Sequence, residues 1–289
     1  MVTNFFKIAW RNLKNNKVYS LLNILGLATG MAVALVIGLW VYYQLSYDRF
    51  LPGYEHAYKI KNKYNNDGRI DVGDATSLPL ADVLRKEIPG IKYVARTDWM
   101  GRHSLVTGEK KLYMKGAMAE EDFLKILQFP LLKGNANVAM KDPYSIVLCE
   151  STAKALFGNE DPLNKTIRFD NSHDLKVTGV LQDVPANSTM QFTYIVPLSY
   201  AFQNYGHVKE NLTNWRDKSF QTFVALQPNV TYAQVASKVK QIEKNHNPED
   251  YKLWQMETLL HPIKDLHLYN EYENGAVSGG FISYVRMFS

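Results

Sequence analysis

The sequence predicts an α+β domain held behind one N-terminal membrane helix. Three observations predict it. Residues Val18 to Tyr47 carry no charge and are rich in Leu, Val, Ile, Ala and Gly, with Lys7, Arg11, Lys14 and Lys17 just before them. The chain as a whole is 46% hydrophobic and 21% charged, the balance of a folded protein and not of a disordered tail. Beyond the apolar run, short strand and helix patterns mix without the strict alternation of a doubly wound sheet.

Taken in order, residues 1–17 read as an interfacial amphipathic helix. At helical spacing Phe5, Phe6, Ala9, Trp10 and Leu13 share one side, and Lys7, Arg11 and Lys14 the other. Such a helix lies in the cytoplasmic interface, with aromatics at headgroup level and cations on anionic lipid. The plainer alternative is a continuation of the membrane helix behind a basic stop.

Residues 18–45 form the membrane helix. The run exceeds the roughly 20 residues a helix needs to cross a hydrocarbon core. About a dozen Leu, Ile and Val contribute on the order of −4 to −7 kcal/mol of insertion free energy. Four cations precede it, while Asp48, Arg49 and Glu55 roughly cancel behind it. The positive-inside bias therefore keeps the N-terminus in the cytoplasm and sends residues after Ser46 outward. Ala32-Val33-Ala34 resembles a signal-peptidase site, but the apolar run continues well past it, so the segment reads as an anchor. Gly26, Gly30, Ala34 and Gly38 recur every fourth residue and make a small-residue stripe on one face. A stripe of this kind lets another helix approach closely, so a packing partner in the membrane is expected.

Outside the membrane, Tyr58 to Tyr64 reads as a strand turned by Asn66-Asp67-Gly68. A helix from Leu80 to Ile88 closes at Pro89-Gly90, and a strand follows near Tyr93 to Trp99. Glu121 to Leu127 is helical, Tyr144 to Leu148 is a buried-type strand, and Ser151 caps a helix ending at Gly158. Lys165 to Phe169 and Leu175 to Leu181 pair around Asn171-Ser172; Phe192 to Val196 and Phe220 to Leu226 are further strands. Thr231 caps a helix with Tyr232, Val235, Val239 and Ile242 on one face, ending in Asn245 to Pro248. A last strand region runs from about Trp254 to Leu268. From Phe281 the chain turns apolar and helix-forming again, and residues 281–289 read as the start of a second, truncated membrane helix.

Several chemistries are excluded. With one cysteine, Cys149, there is no internal disulfide and no multi-cysteine metal site. Net charge is +5, but part of the excess sits at the membrane end and the rest is mixed in sign, so nucleic acid is not a partner. Gly158 to Thr166 is the nearest approach to a phosphate loop, yet its spacing is one residue too long and Asn164 stands where a glycine belongs. His261 and His267 flank Pro262 to Leu266, and Asp265 and His267 alternate along a possible strand as candidate metal ligands, with no third at diagnostic spacing. Cys149, behind Ile146-Val147-Leu148, reads as a core residue. No catalytic, metal or cofactor site is expected, and the chain does not read as an enzyme.

Ordered blocks then carry a resemblance. Ala9-Trp10-Arg11-Asn12-Leu13-Lys14, Asn23 to Gly30 and Leu45-Ser46-Tyr47-Asp48 resemble the start of FtsX-like/MacB-like ABC transporter permeases of the Bacteroidetes type. Phe129 to Gly134, Ser145 to Leu148, Phe157-Gly158 with Asp161-Pro162, and Val177 to Val180 with Asp183-Val184-Pro185 continue it. Asn187-Ser188, Leu266-His267-Leu268 and Tyr284-Val285 complete it. Cys149 replaces a usual Thr, and Asn164 a usual Gly.

The resemblance implies an extracytoplasmic MacB-like core domain, residues 46–280, between the first and second membrane helices. That domain would have a membrane-proximal lobe (about 46–120 and 218–280) and an inserted lobe (about 121–217). It further implies an inner-membrane permease, homodimeric or heterodimeric, that couples ATP hydrolysis by a separate cytoplasmic ATPase to movement of the periplasmic domain, with export and a further periplasmic protein as associated expectations. Two other readings stand beside it: a membrane-anchored sensor or ligand-binding module, and a membrane-anchored hydrolase. The first would need a cytoplasmic signalling domain and the second a convergent polar site.

Overall fold

The computed structural model describes residues 2–288, with side chains described from Phe6 onward. Two compact units are present, one made of the N-terminal helices with most of the last helix, the other of Ser46–Phe281.

In the first unit, α1 (Val2–Asn15) and α2 (Lys17–Leu45) are separated at Asn16. At 1.5 Å per residue α2 rises about 43 Å, longer than a hydrocarbon core of about 30 Å. Its best window has a mean hydropathy of 2.3 and no buried residue, so its apolar surface faces outward on every side. Water would penalise that surface heavily; lipid does not. Trp40 meets Phe288 of the last helix edge to face at 5.7 Å.

The second unit begins with β1 (Ala57–Asn66) and β2 (Arg69–Gly73), joined by Asp67-Gly68. Both turn residues have positive φ, 51° and 88°, as a two-residue hairpin turn matching strand twist requires. Then come α3 (Leu78–Glu87), β3 (Ile91–Thr97), β4 (Arg102–Thr107), β5 (Lys110–Lys115), β6 (Ala117–Ala119) and α4 (Asp122–Leu127). They are followed by β7 (Leu131–Gly134), β8 (Ser145–Cys149), α5 (Glu150–Phe157), β9 (Thr166–Phe169), β10 (His173–Leu181) and β11 (Tyr194–Pro197). After α6 (Leu198–Asn204) and α7 (Gly206–Glu210) the chain returns through β12 (Gln221–Leu226). It closes with α8 (Tyr232–Lys240), α9 (Ile242–His246), α10 (Pro248–Trp254), β13 (Glu257–Pro262), β14 (Glu271–Glu273), β15 (Ala276–Gly279) and α11 (Phe281–Phe288).

Among the described residues, thirteen strands form one sheet along the path β13-β1-β12-β3-β6-β11-β8-β10-β9-β4-β5, with β2 on β1 and β7 on β10. Most pairs are antiparallel; β8–β10 and β6–β11 are parallel. The fold is α+β and two-lobed. One lobe, of β13, β1, β12 and β3, packs Ile60, Val94, Val224 and Leu260 against Leu80 and Leu84 of α3 and Val235 and Val239 of α8. The other packs Leu105, Ile146, Leu148, Phe169 and Val177 with Tyr194 and Tyr200. They join where Thr97 of β3 pairs with Ala119 of β6. Phe123, Phe129, Phe192 and Phe223 fill the space beneath that junction, with ring centroids 5.1 to 6.3 Å apart between contacting pairs. The β4–β5 hairpin, expected with the membrane-proximal lobe, pairs with β9 through Leu105 and Phe169 at the far end of the sheet.

Two local expectations change. Ser151 does not cap α5; it is the second helical residue, and its N–H and hydroxyl both donate to Asp183 Oδ1 (3.0 and 2.9 Å). The carboxylate of a distant loop thus serves the helix N-terminus. The helix begun by Thr231 ends at Lys240, because the chain turns at Gln241 before α9; its start carries a capping box with Gln234, as the Thr predicts. Asn164 takes φ +63°, a left-handed conformation that Asn tolerates better than most residues.

Candidate functional site

The helix faces named from sequence lie on open surface. Phe6 and Trp10 are 68% and 73% exposed, and Arg11 and Lys14 are exposed as well. Phe5 lies outside the described side chains. Gly26, Gly30, Ala34 and Gly38 are exposed on successive turns of α2, and a Cβ placed at any of the three glycines would meet nothing within 4 Å. Within one chain that face has space for a closely packed neighbour.

The second unit opens with a polar clasp that sequence reasoning did not single out. Asp48 is fully buried and takes φ +58°, a left-handed conformation that Asp tolerates better than most residues. Its N–H donates to Asn187 O (2.9 Å), and its carboxylate accepts from Ser188 Oγ (2.9 Å), Thr189 N–H (2.9 Å) and Thr189 Oγ1 (2.7 Å). Asn187 Nδ2 reaches back to Ser46 Oγ (2.9 Å) and Ser46 O (3.2 Å). Burial pushes the Asp48 carboxyl above the usual range, and the hydrogen bonds from Thr189 and Ser188 pull against that. Both partners were visible as separate family-like blocks, Ser46-Tyr47-Asp48 and Asn187-Ser188; their contact was not.

A ring stack lies close by in sequence. His267 is sandwiched between Tyr47 (3.5 Å between centroids, 8° between planes) and Phe281 (5.0 Å, 27°). Tyr47, near the start of the second unit, and Phe281, at its end, are therefore held together through one imidazole, whose pKa burial lowers.

The candidate chemical groups do not converge. His261 Nδ1 lies 2.8 Å from Tyr272 Oη, while His267 is engaged in the stack. Among the described residues no group of three His, Cys, Asp or Glu is placed to hold a metal. Cys149 is buried, its Sγ donates to Phe192 O at 3.6 Å, and burial pushes the thiol up to about 12. That makes it inert as a nucleophile near neutral pH. Lys165, in the segment compared with a phosphate loop, pairs with Glu160 and lies over the Phe157 ring.

The sequence pattern of the MacB-like periplasmic core domain matches residues 20–242. The chain belongs to that family. MacB-like periplasmic core domains are parts of ABC transporter permeases. Solved structures share the fold. A domain assigned to a permease protein from Porphyromonas gingivalis is 24% identical with a TM-score of 0.60, covering 73% of this chain and 92% of its own. The periplasmic region of MacB from Actinobacillus actinomycetemcomitans is 18% identical with a TM-score of 0.52, covering 74% and 92%. The extracellular domain of the noncanonic ABC-type transporter YknZ from Gram-positive bacteria is 15% identical with a TM-score of 0.50, covering 70% and 98%. No curated protein matches the chain in sequence.

Proposed function

We propose that this MacB-like chain is a non-catalytic permease subunit that converts ATP hydrolysis by a separate cytoplasmic ATPase into movement of its outer domain. The observation that carries the reading is the clasp: directly after α2 ends at Leu45, Ser46 and Asp48 are bound into the outer domain by Asn187, Ser188 and Thr189. A domain that is to be moved needs its entering segment held fast, and these bonds, all within that domain, supply the hold. In this reading α1 lies on the cytoplasmic face of the inner membrane, with Phe6, Trp10, Arg11 and Lys14 in the interface, where an ATPase can push. Gly26, Gly30, Ala34 and Gly38 pack against a neighbouring helix of the permease, which works as a dimer. The main domain stands in the periplasm, and export or the control of a periplasmic protein is the output.

Topology is tested by labelling. Cys149 is buried, so a cysteine introduced at Lys7 or at exposed Glu160 reacts selectively. In spheroplasts E160C is expected to label from outside and K7C only after permeabilisation, with an ATPase co-purifying with the full chain. The reverse labelling pattern would overturn the orientation.

A further inference from the structure

An open cavity of about 510 Å³ lies in the outer domain beside β1, bordered by Trp99, Lys115, Phe223 and Tyr272. Its volume is in the range of small-ligand sites. Lys59 and Lys61, alternate residues of β1 and so on one face of the sheet, are 9% and 7% exposed on its wall. They share one counter-ion: Lys59 Nζ bonds Asp74 Oδ2 at 2.7 Å, and Lys61 Nζ bonds Asp74 Oδ1.

The charge balance is incomplete. Two buried ammoniums and one carboxylate leave one positive charge, and Asp74 is the acidic residue that lines the cavity among the described residues. Buried charge is tolerated when it is paired and hydrogen-bonded. Each ammonium has three donors and gives one to Asp74; its other described contact is a ring, Phe223 for Lys59 (5.9 Å) and Tyr272 for Lys61 (5.1 Å). Burial lowers the Lys59 pKa against the pull of Asp74, and the neighbouring Lys61 charge lowers it further. Lys115 adds a third, half-buried ammonium with no ion pair among the described residues. Trp99, about half exposed, and Met100 supply an apolar wall.

We propose that this cavity binds a small organic carboxylate, its charged group between Lys59, Lys61 and Lys115 and its apolar arm against Trp99 and Met100. A monoanion fits better than a phosphate, because after Asp74 the two buried lysines carry one net charge and Lys115 is partly hydrated. The assignment stands on the cavity's charge and does not depend on the coupling role.

The test is calorimetric titration of the full chain in detergent with benzoate, neutral benzamide and phenyl phosphate. Saturable benzoate binding with none of benzamide is expected. Lys61→Gln removes a charge-assisted hydrogen bond and should weaken benzoate by about tenfold or more. Lys115→Gln, at a half-buried residue without an ion pair, leaves the fold intact and should weaken it severalfold. The proposal is overturned if benzoate does not bind saturably, if benzamide binds as well, if phenyl phosphate binds more tightly, or if Lys115→Gln in the folded protein leaves benzoate affinity unchanged.

Discussion

Asp48 and Thr189, 141 residues apart in the chain, are joined twice: the Thr189 N–H donates to Oδ1 at 2.9 Å and its hydroxyl to Oδ2 at 2.7 Å. With Ser188 Oγ on the same carboxylate, three donors converge on one fully buried group. Asp48→Ala would strand those donors and place Ala at φ +58°, so a loss of roughly 3 kcal/mol or more is expected. Asp48→Asn keeps an acceptor and a residue type that tolerates positive φ, and should cost less. Urea unfolding of the two variants checks the ranking.

In the membrane, Gly30→Leu fills an open face of α2 without touching the outer domain's core. Coupled transport activity should fall while the outer domain's unfolding midpoint stays at the wild-type value. Wild-type activity with Leu at this position would remove the packing role of the stripe.

His261 provides a pH dependence. It is buried, and burial with nearby Lys61 lowers its pKa from 6.5 to about 4. Between those values the unfolded chain binds the proton and the folded chain does not, so unfolding becomes easier as pH falls. The stability is fully present above pH 6.5, declines toward pH 4 and is flat below; on the order of 3 kcal/mol is involved. His261→Gln should flatten that slope in denaturation curves collected across the window.

Arg96 is the internal strut of the first lobe. It is 6% exposed, and it bonds Glu120 Oε1 through Nε (2.9 Å) and Leu78 O through Nη1 (2.9 Å), tying α3 and the segment after β6 to β3. Arg96→Leu should cost about 3 kcal/mol, because Leu78 O loses its side-chain donor and Glu120 keeps Arg85 as its remaining cationic partner. The exposed Arg168–Asp174 pair is the control, where Arg168→Leu should cost under about 1 kcal/mol.

Much of the fold was legible in local pattern. Ser145–Cys149 is buried at every position, as its unbroken apolar run implies, and Asp67-Gly68 turns the first hairpin as the sequence predicts. The β4–β5 hairpin went unread because its apolar residues, Leu105-Val106 and Leu112-Tyr113-Met114, are adjacent and do not alternate with polar ones. Strand order was illegible for another reason: β12 enters between β1 and β3 from more than a hundred residues away, and no local pattern encodes that. The same limit hid the clasp. Asp48 and Thr189 are single polar residues with no periodicity, and what makes them a pair is the fold that brings them together. The helix faces were named from amphipathicity and small-residue spacing, which are local; their packing role belongs to the proposal.

The account rests on movement of the outer domain driven from the cytoplasm. It is tested most directly by a nitroxide on E160C, with distances between the labels of two copies measured in membranes containing the partner ATPase. A distance distribution that shifts between ATP-bound and ADP-bound states, and stops shifting in folded Asp48→Ala protein, is the predicted result. The same distribution in both nucleotide states, with ATP being hydrolysed, would contradict it.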